Sequence, residues 1–290
     1  MAEPETHTLD APGAVLHYDV RRVDSSPAPT LLMIGSPMDA SGFGSLAARF
    51  TDRTVVTYDP RGAGRSERSD PAGESTPEQH ADDLHRLIAA LDHGPVDIFA
   101  SSGGAINALA LVAGHPEQVR TLVAHEPPAA QLLPDRERAL AVVADIRATY
   151  ERAGWAAAMA KFITLVGLHG EIPADYLERP APDPAAFGLP VGDDGSRTDV
   201  LFAQNLVTCT HYQPDFAALR AAPTRIVPGV GVESTDQLAC RGGLAVAERL
   251  DTTAVTFPGG HAGFLGGEFG QTGDPDGFAE TLRRVLADAS

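Results

Sequence analysis

The stretch Val96-Asp97-Ile98-Phe99-Ala100-Ser101-Ser102-Gly103-Gly104-Ala105-Ile106 constrains what this chain can fold into more than any other segment. Strand-forming residues run into a serine flanked by small residues. The stretch from Asn107 to His115 is then rich in Ala and Leu and closes at Pro116, as a helix does. A strand, a sharp turn and a helix in that order lift one hydroxyl above a sheet edge, and small neighbours let strand and helix approach closely. Set against the pattern G-x-S-x-G, the segment reads Ala100-Ser101-Ser102-Gly103-Gly104, with alanine in place of the first glycine. This register makes Ser102 the candidate nucleophile and Gly103 the residue after it. Shifting by one would put Phe99 where a small residue is required. Taken alone, the segment also suits a plain Gly/Ser turn between any strand and helix, so the rest of the chain has to decide.

Upstream, Ala14 to Val20 alternates as a strand should, and Thr30-Leu31-Leu32-Met33-Ile34 is the continuous apolar run of a strand buried on both faces. The latter ends in Gly35-Ser36-Pro37. A short helix is expected from about Gly42 to Phe50 and a strand over Thr54 to Tyr58, followed by the glycine-rich turn Asp59-Pro60-Arg61-Gly62-Ala63-Gly64-Arg65-Ser66. Ser75-Thr76-Pro77-Glu78 is a helix start, with a hydroxyl cap and an early proline, and Leu84, Leu87, Ile88 and Leu91 give that helix an apolar face. After the central segment, Val119 to His125 reads as a strand ending in Glu126-Pro127-Pro128. Strands alternating with helices at this spacing predict an α/β fold, a mostly parallel, doubly wound sheet with ligands bound outside the carboxyl ends of its strands. Ser102, Glu126 and the Gly35-Ser36 loop all fall at such ends.

From about Ala129 to Ala222 the rhythm changes. Helices are expected over Asp135 to Tyr150, Trp155 to Leu168 and Thr198 to Thr210, around a segment from Pro173 to Pro190 rich in proline and acid. This predicts an inserted helical cap, 129–222, between core segments 1–128 and 223–290, with Pro180-Ala181-Pro182-Asp183-Pro184 as a lid or substrate-facing loop. The sheet resumes at Thr224 to Gly231. A helix near Gly242 to Leu250, a strand over Ala254 to Phe257, the turn Pro258-Gly259-Gly260-His261-Ala262-Gly263-Phe264 and a helix from about Asp276 to Ala289 complete the chain.

Length and charge limit the function. The 290 residues, 43% of them hydrophobic, can bury a large core. With 39 acidic against 22 basic residues the net charge is −17, which argues against nucleic acid or an anionic membrane as a partner. The amino-terminal residues carry acid where a secretory signal carries base, and there is no run of about 18 apolar residues, so a cytoplasmic protein without a membrane span is expected. Cys209 and Cys240 share no metal or redox spacing and are expected to be buried thiols.

A serine hydroxyl needs a base within hydrogen-bond reach, itself oriented by an acid. Of the ten histidines, His261 sits in a Gly-Gly-His-Ala-Gly loop just after the last strand and is the natural base. His125 would point away from Glu126 along its strand, and His169 and His211 fall in the cap. The acid stays open on this reading. Glu233 and Asp236 lie in the loop after the strand ending at Gly231, and Glu126 lies at the end of the strand that follows the serine unit.

The spread of Gly35-Ser36-Pro37, Asp59 to Ser66, the serine turn and Gly-Gly-His261 resembles the α/β-hydrolase superfamily over nearly the whole chain. Within it, Ala100-Ser101-Ser102-Gly103-Gly104-Ala105 and His125-Glu126-Pro127-Pro128 look like the zearalenone-type lactonases. In those, the motif serine is the nucleophile and the glutamate of the His-Glu-Pro-Pro segment the acid. Carried over, the resemblance implies a triad of Ser102, His261 and Glu126, with Glu233 as the alternative acid. It also implies an oxyanion hole from the backbone N–H groups of Gly103 and Ser36; Pro37 has none to offer. The expectation is a serine hydrolase acting on a small apolar ester or lactone without metal or organic cofactor, under a cap lined by residues such as Trp155, Phe162, Phe187 and Phe202. A homo-oligomer is left open. A cofactor-free perhydrolase or thioesterase would use the same triad, and a non-catalytic binding protein could use the same fold.

Overall fold

The computed structural model describes residues 4–24, 26–190 and 192–287. Its strands are β1 (Glu5–Ala11), β2 (Ala14–Arg21), β3 (Leu31–Ile34), β4 (Val55–Asp59), β5 (Glu67–Arg68), β6 (Val96–Ser101), β7 (Val119–His125), β8 (Arg225–Gly231) and β9 (Val255–Phe257). They form one sheet in the order β1-β2-β4-β3-β6-β7-β8-β9, with β5 paired to β2. From β4 to β9 neighbouring strands run parallel, while β1, β2 and β4 are joined antiparallel. This is the mostly parallel α/β sheet that the alternation of strands and helices predicts.

The helices are α1 (Gly44–Ala47), α2 (Pro77–Leu91), α3 (Gly103–Gly114), α4 (Arg136–Val166), α5 (Leu206–His211), α6 (Phe216–Ala221), α7 (Leu238–Arg249) and α8 (Pro275–Ala287). Period-two alternation sends side chains of each central strand into two different cores. Leu32, Ile34, Ile98 and Ala100 pack with α2 and α3 on one face. Leu31, Met33 and Phe99 pack with Phe43, Leu46 and the α8 residues Phe278, Leu282 and Val285 on the other. Strands covered on both faces have no polar side, which is why β3 reads as an unbroken apolar run.

Local chemistry sets the helix ends. The Thr76 hydroxyl accepts from the Gln79 N–H at 3.2 Å and Pro77 opens α2. The helix expected near Gly42 is a 3-10 turn over Ala40–Phe43 followed by the single turn α1. Two of the three helices expected after Ala129 are present in α4, interrupted at Gly154, whose φ of 82° only glycine adopts readily, and the third, expected over Thr198 to Thr210, is a π-helical turn over Val200–Asn205 followed by α5. α7 starts at Leu238, before the glycine pair expected to open it. Gly242 and Gly243 lie inside this helix because it packs hard on the chain after β7: a Cβ at 242 would stand 2.2 Å from the Pro127 carbonyl oxygen. The end of the last helix expected at Ala289 lies outside the described residues.

Residues after β7 build a third apolar cluster from Val142, Val143, Ile146 and Tyr150 of α4 with Phe202, Ala203 and Leu206. Phe216 and Leu219 of α6 pack instead with the α2/α3 face of the sheet. Polar contacts pin this helical layer to the sheet domain on two sides. The Ser75 N–H donates to the Gln204 carbonyl at 2.9 Å, and His80 Nε2 and Asn205 Oδ1 lie 2.8 Å apart. On the other side Arg241 of α7 pairs with the buried carboxylate of Asp135. In the Pro180 to Pro184 segment Pro180, Ala181 and Asp183 are exposed and Pro182 and Pro184 half-buried.

Candidate active site

Ser102 stands between β6 and α3 with φ 57° and ψ −130°, a backbone conformation that L-residues rarely adopt. Two neighbours hold it there. The Ser102 N–H donates to the His125 carbonyl at 3.0 Å, which ties the turn to the end of β7. The glycines permit the close approach on the other side. A Cβ at 103 would stand 2.6 Å from the Ser36 carbonyl oxygen, and one at 104 would stand 2.8 Å from that of Ile34. Ala100 is fully buried on the α3 face of β6, where a larger side chain would separate strand from helix.

Glu126 follows β7 directly, at φ 48°, and is 0% exposed. Its N–H donates to the Gly229 carbonyl at 2.9 Å, fixing the backbone against β8. One carboxylate oxygen, Oε2, is 2.7 Å from His261 Nδ1. The other, Oε1, accepts from the Gly231 N–H at 2.8 Å and from the Ser234 hydroxyl. Burial by itself pushes the carboxyl up. The bond from His261, the charge of the neighbouring imidazoles and the Ser234 hydroxyl outweigh it and hold Glu126 at about 2. An ionised acceptor makes His261 Nδ1 the protonated nitrogen and leaves Nε2 as the basic one. The His261 side chain is 42% exposed, and neither its Nε2 nor the Ser102 hydroxyl has a hydrogen-bond partner among the described residues.

The other candidate acids do not join this group. Glu233 is exposed on the 3-10 turn Val232–Ser234, and Asp236 is exposed beyond it. The loop after β8 supplies a hydroxyl, Ser234, rather than the acid. Sequence reasoning passed over Ser234; its only signal was its place between the two acids considered. His125 packs among Phe99, Phe257, Phe264 and Phe278 with its ring 6.2 Å from that of His261, and burial pushes its imidazole down to about 4, so it is neutral.

At the end of β3, Ser36 is buried and its backbone lies against Gly103. The N–H groups of Ser36 and Gly103 have no acceptor among the described residues, so two donors stand free beside the serine turn. Of the aromatic residues expected to line the cap, Phe202 is fully buried in the interior of the helical layer against Tyr150 and Phe162. Trp155 and Phe162 are half-buried at its margin, and Phe187 is exposed. Both cysteines are free and buried. No group of three or more His, Cys, Asp or Glu side chains among the described residues could hold a metal ion.

A family model described as alpha/beta hydrolase fold matches residues 37–154. The uncharacterized hydrolase YraK of Bacillus subtilis (strain 168) is 31% identical over 265 residues, covering 89% of each chain. The chain belongs to the α/β-hydrolase family. Among solved structures, the enol-lactonase of Burkholderia xenovorans LB400 superposes with a TM-score of 0.63 at 19% identity, covering 97% of this chain and 100% of that one. A thermophilic esterase from Thermogutta terrifontis superposes at 0.66 with 20% identity, over 99% of both chains. The protein is thus a hydrolase of the α/β-hydrolase type. No helix among the described residues is long and apolar enough to cross a membrane.

Proposed function

We propose that this α/β hydrolase is a serine hydrolase that opens a carboxylic ester or lactone through an acyl-enzyme on Ser102. His261 acts as the base and Glu126 as the acid that orients it. The observation that carries the reading is the 2.7 Å bond from His261 Nδ1 to the buried, ionised Glu126, which leaves Nε2 free at the same sheet edge as the strained Ser102 turn.

In the first step Ser102 Oγ forms a bond to the acyl carbon as its proton passes to His261 Nε2, and the carbonyl electron pair moves onto oxygen. Ionised Glu126 stabilises the imidazolium without taking its proton. The free N–H groups of Ser36 and Gly103 receive the oxyanion. Collapse of the tetrahedral species breaks the C–O bond and His261 protonates the leaving alkoxide; water then repeats the sequence to release the acid. The sequence balances with water as the only co-reactant.

The esterase and enol-lactonase among the fold neighbours support a small ester or lactone, under a cap whose half-buried Trp155 and Phe162 offer apolar surface. The His125-Glu126-Pro127-Pro128 segment supports a lactone of the zearalenone type in particular. Hydrolysis of a panel of p-nitrophenyl esters and macrocyclic lactones, with fluorophosphonate labelling of the serine, tests the proposal. Ser102→Ala is expected to abolish labelling and to lower kcat at least ~10³-fold with the fold intact. Activity near the wild-type level in that variant would remove Ser102 from the reaction.

A further inference from the structure

The turn that carries Ser234 is held from its far side by the loop after α4. The Ser234 hydroxyl has one proton and two acceptors in reach, Glu126 Oε1 and the Gly231 carbonyl at 3.1 Å. Which of them it serves depends on where the turn 232–237 sets the hydroxyl oxygen. At the start of that turn the Glu233 N–H donates to the Gly259 carbonyl at 3.0 Å. Further along, Asp236 has φ 64°, a left-handed conformation that costs an L-residue free energy unless neighbours hold it. The neighbours are His169 and Gly170. His169 Nδ1 donates to the Thr235 carbonyl at 2.8 Å, and the Gly170 N–H donates to the Asp236 carbonyl at 2.9 Å.

The α4 loop is itself anchored. The Asp135 carboxylate, fully shielded from solvent beside the start of α4, accepts from the Ile172 N–H at 2.8 Å and pairs with Arg241 of α7. The same guanidinium donates to the Gly170 carbonyl at 2.8 Å. These contacts close a ring that runs from the turn to the loop, from the loop to Asp135, from Asp135 to Arg241, and back along α7 to the turn. Ser234 is the one member of the ring that reaches the buried carboxylate beneath it.

We propose that His169 and Arg241 are positioning residues for the hydrolysis: by fixing the α4 loop on the turn 232–237 they keep the Ser234 hydroxyl on Glu126 rather than on Gly231, and so keep Glu126 ionised against His261. This rests on the triad reading above and deepens it. Neither residue belongs to the group of Ser102, His261 and Glu126. Their influence on the reaction passes through Ser234, so it falls on the chemical step rather than on substrate binding.

His169 is exposed, so His169→Ala removes the bond to Thr235 without opening the interior. With a p-nitrophenyl ester, and with kcat counted per fluorophosphonate-labelled serine so that unfolded protein does not enter, kcat is expected to fall roughly threefold with KM unchanged. His169→Asn, whose side-chain amide offers an N–H close to the place of Nδ1, is expected to restore the rate. Arg241→Lys keeps the charge but loses the fork that spans Asp135 and Gly170, and is expected to lower kcat in the same way. The deciding measurement is the double-mutant cycle with Ser234→Ala: in that background His169→Ala is expected to change kcat by less than about 1.5-fold, because the hydroxyl it positions has gone. An unchanged kcat in both His169→Ala and Arg241→Lys would overturn the proposal. So would a His169→Ala loss of full size in the Ser234→Ala background, or one confined to KM. Labelling of the wild type at Ser102 separates the two levels of inference. If Ser102 is labelled and the cycle is additive, only the positioning role fails; if Ser102 is not labelled, the triad reading fails and takes the positioning role with it.

Discussion

The loops after β7 and β8 each present a glutamate at the carboxyl edge of the sheet, and the two live in opposite surroundings. Glu126 is fully buried, its two oxygens accept from His261, the Gly231 N–H and the Ser234 hydroxyl, and it is held at about 2. Glu233 is exposed, and its side chain has no hydrogen-bond or ion-pair partner among the described residues. The difference lies in the backbone. The left-handed turn at Glu126 and the bond from its N–H to Gly229 direct the side chain inward, between β7 and β8. The 3-10 turn after β8 places Ser234 inward and Glu233 outward. A carboxylate can stay ionised out of water only where donors replace the water it loses, and the interior beside β8 supplies three of them.

The largest expected effect separates the two glutamates directly. Glu126→Gln should lower kcat by roughly 10³- to 10⁴-fold, because the amide neither holds the reactive tautomer of His261 nor stabilises its charge. A loss under tenfold in steady-state ester hydrolysis would show that another group orients the base.

The second test uses acid. The folded-state pKa of Glu126, about 2, lies below the ordinary 4.5, so the stability it contributes is complete above about pH 4.5 and is lost as pH falls toward 2. Denaturant midpoints measured across that window should fall less steeply in Glu126→Gln than in the wild type. Equal slopes would mean that the buried carboxylate does not sense folding.

Smaller effects sharpen the picture. Ser234→Ala removes one neutral donor from Glu126, worth about 1 kcal/mol, and should cost about fivefold in kcat. Its readout is the rate together with the position of the acid limb of the pH profile. Smallest of all, Glu233→Gln should leave kcat/KM within about twofold, as expected of a solvated carboxylate. A Glu233 effect larger than that of Glu126 would reverse the comparison.

The central strands and the serine turn were readable because their signals are local. β3 is wholly apolar and β4 and β6 mostly so because both faces are covered, and Ser102 announces itself through Gly103 and Gly104. β1 was not anticipated. It is an edge strand with alternate residues in solvent, and His7, Thr8 and Leu9 carry no strong alternation of apolar and polar character. The start of α7 was misplaced by four residues because Gly242 and Gly243, read locally, break a helix. In the fold they let the helix reach the Pro127 carbonyl. The aromatic residues expected to line the cap could not be sorted by type. Phe202 went to the interior and Phe187 to the surface, an outcome that depends on how the helical layer packs on itself.

By itself the sequence determined the alternation of strands and helices in a mostly parallel α/β sheet, the register that singles out Ser102 and the placing of His261 just beyond the last strand. These follow from residue-to-residue patterns a few positions long. The resemblance pointed to Glu126 as the partner of His261; only the tertiary structure brings the two within 2.7 Å, adds Ser234 as a further donor to that carboxylate, and packs Ser36 against Gly103. Each of these joins residues more than sixty positions apart, and which of them share an interior depends on backbone direction at the strand ends and on the donors found there, neither of which a local pattern records.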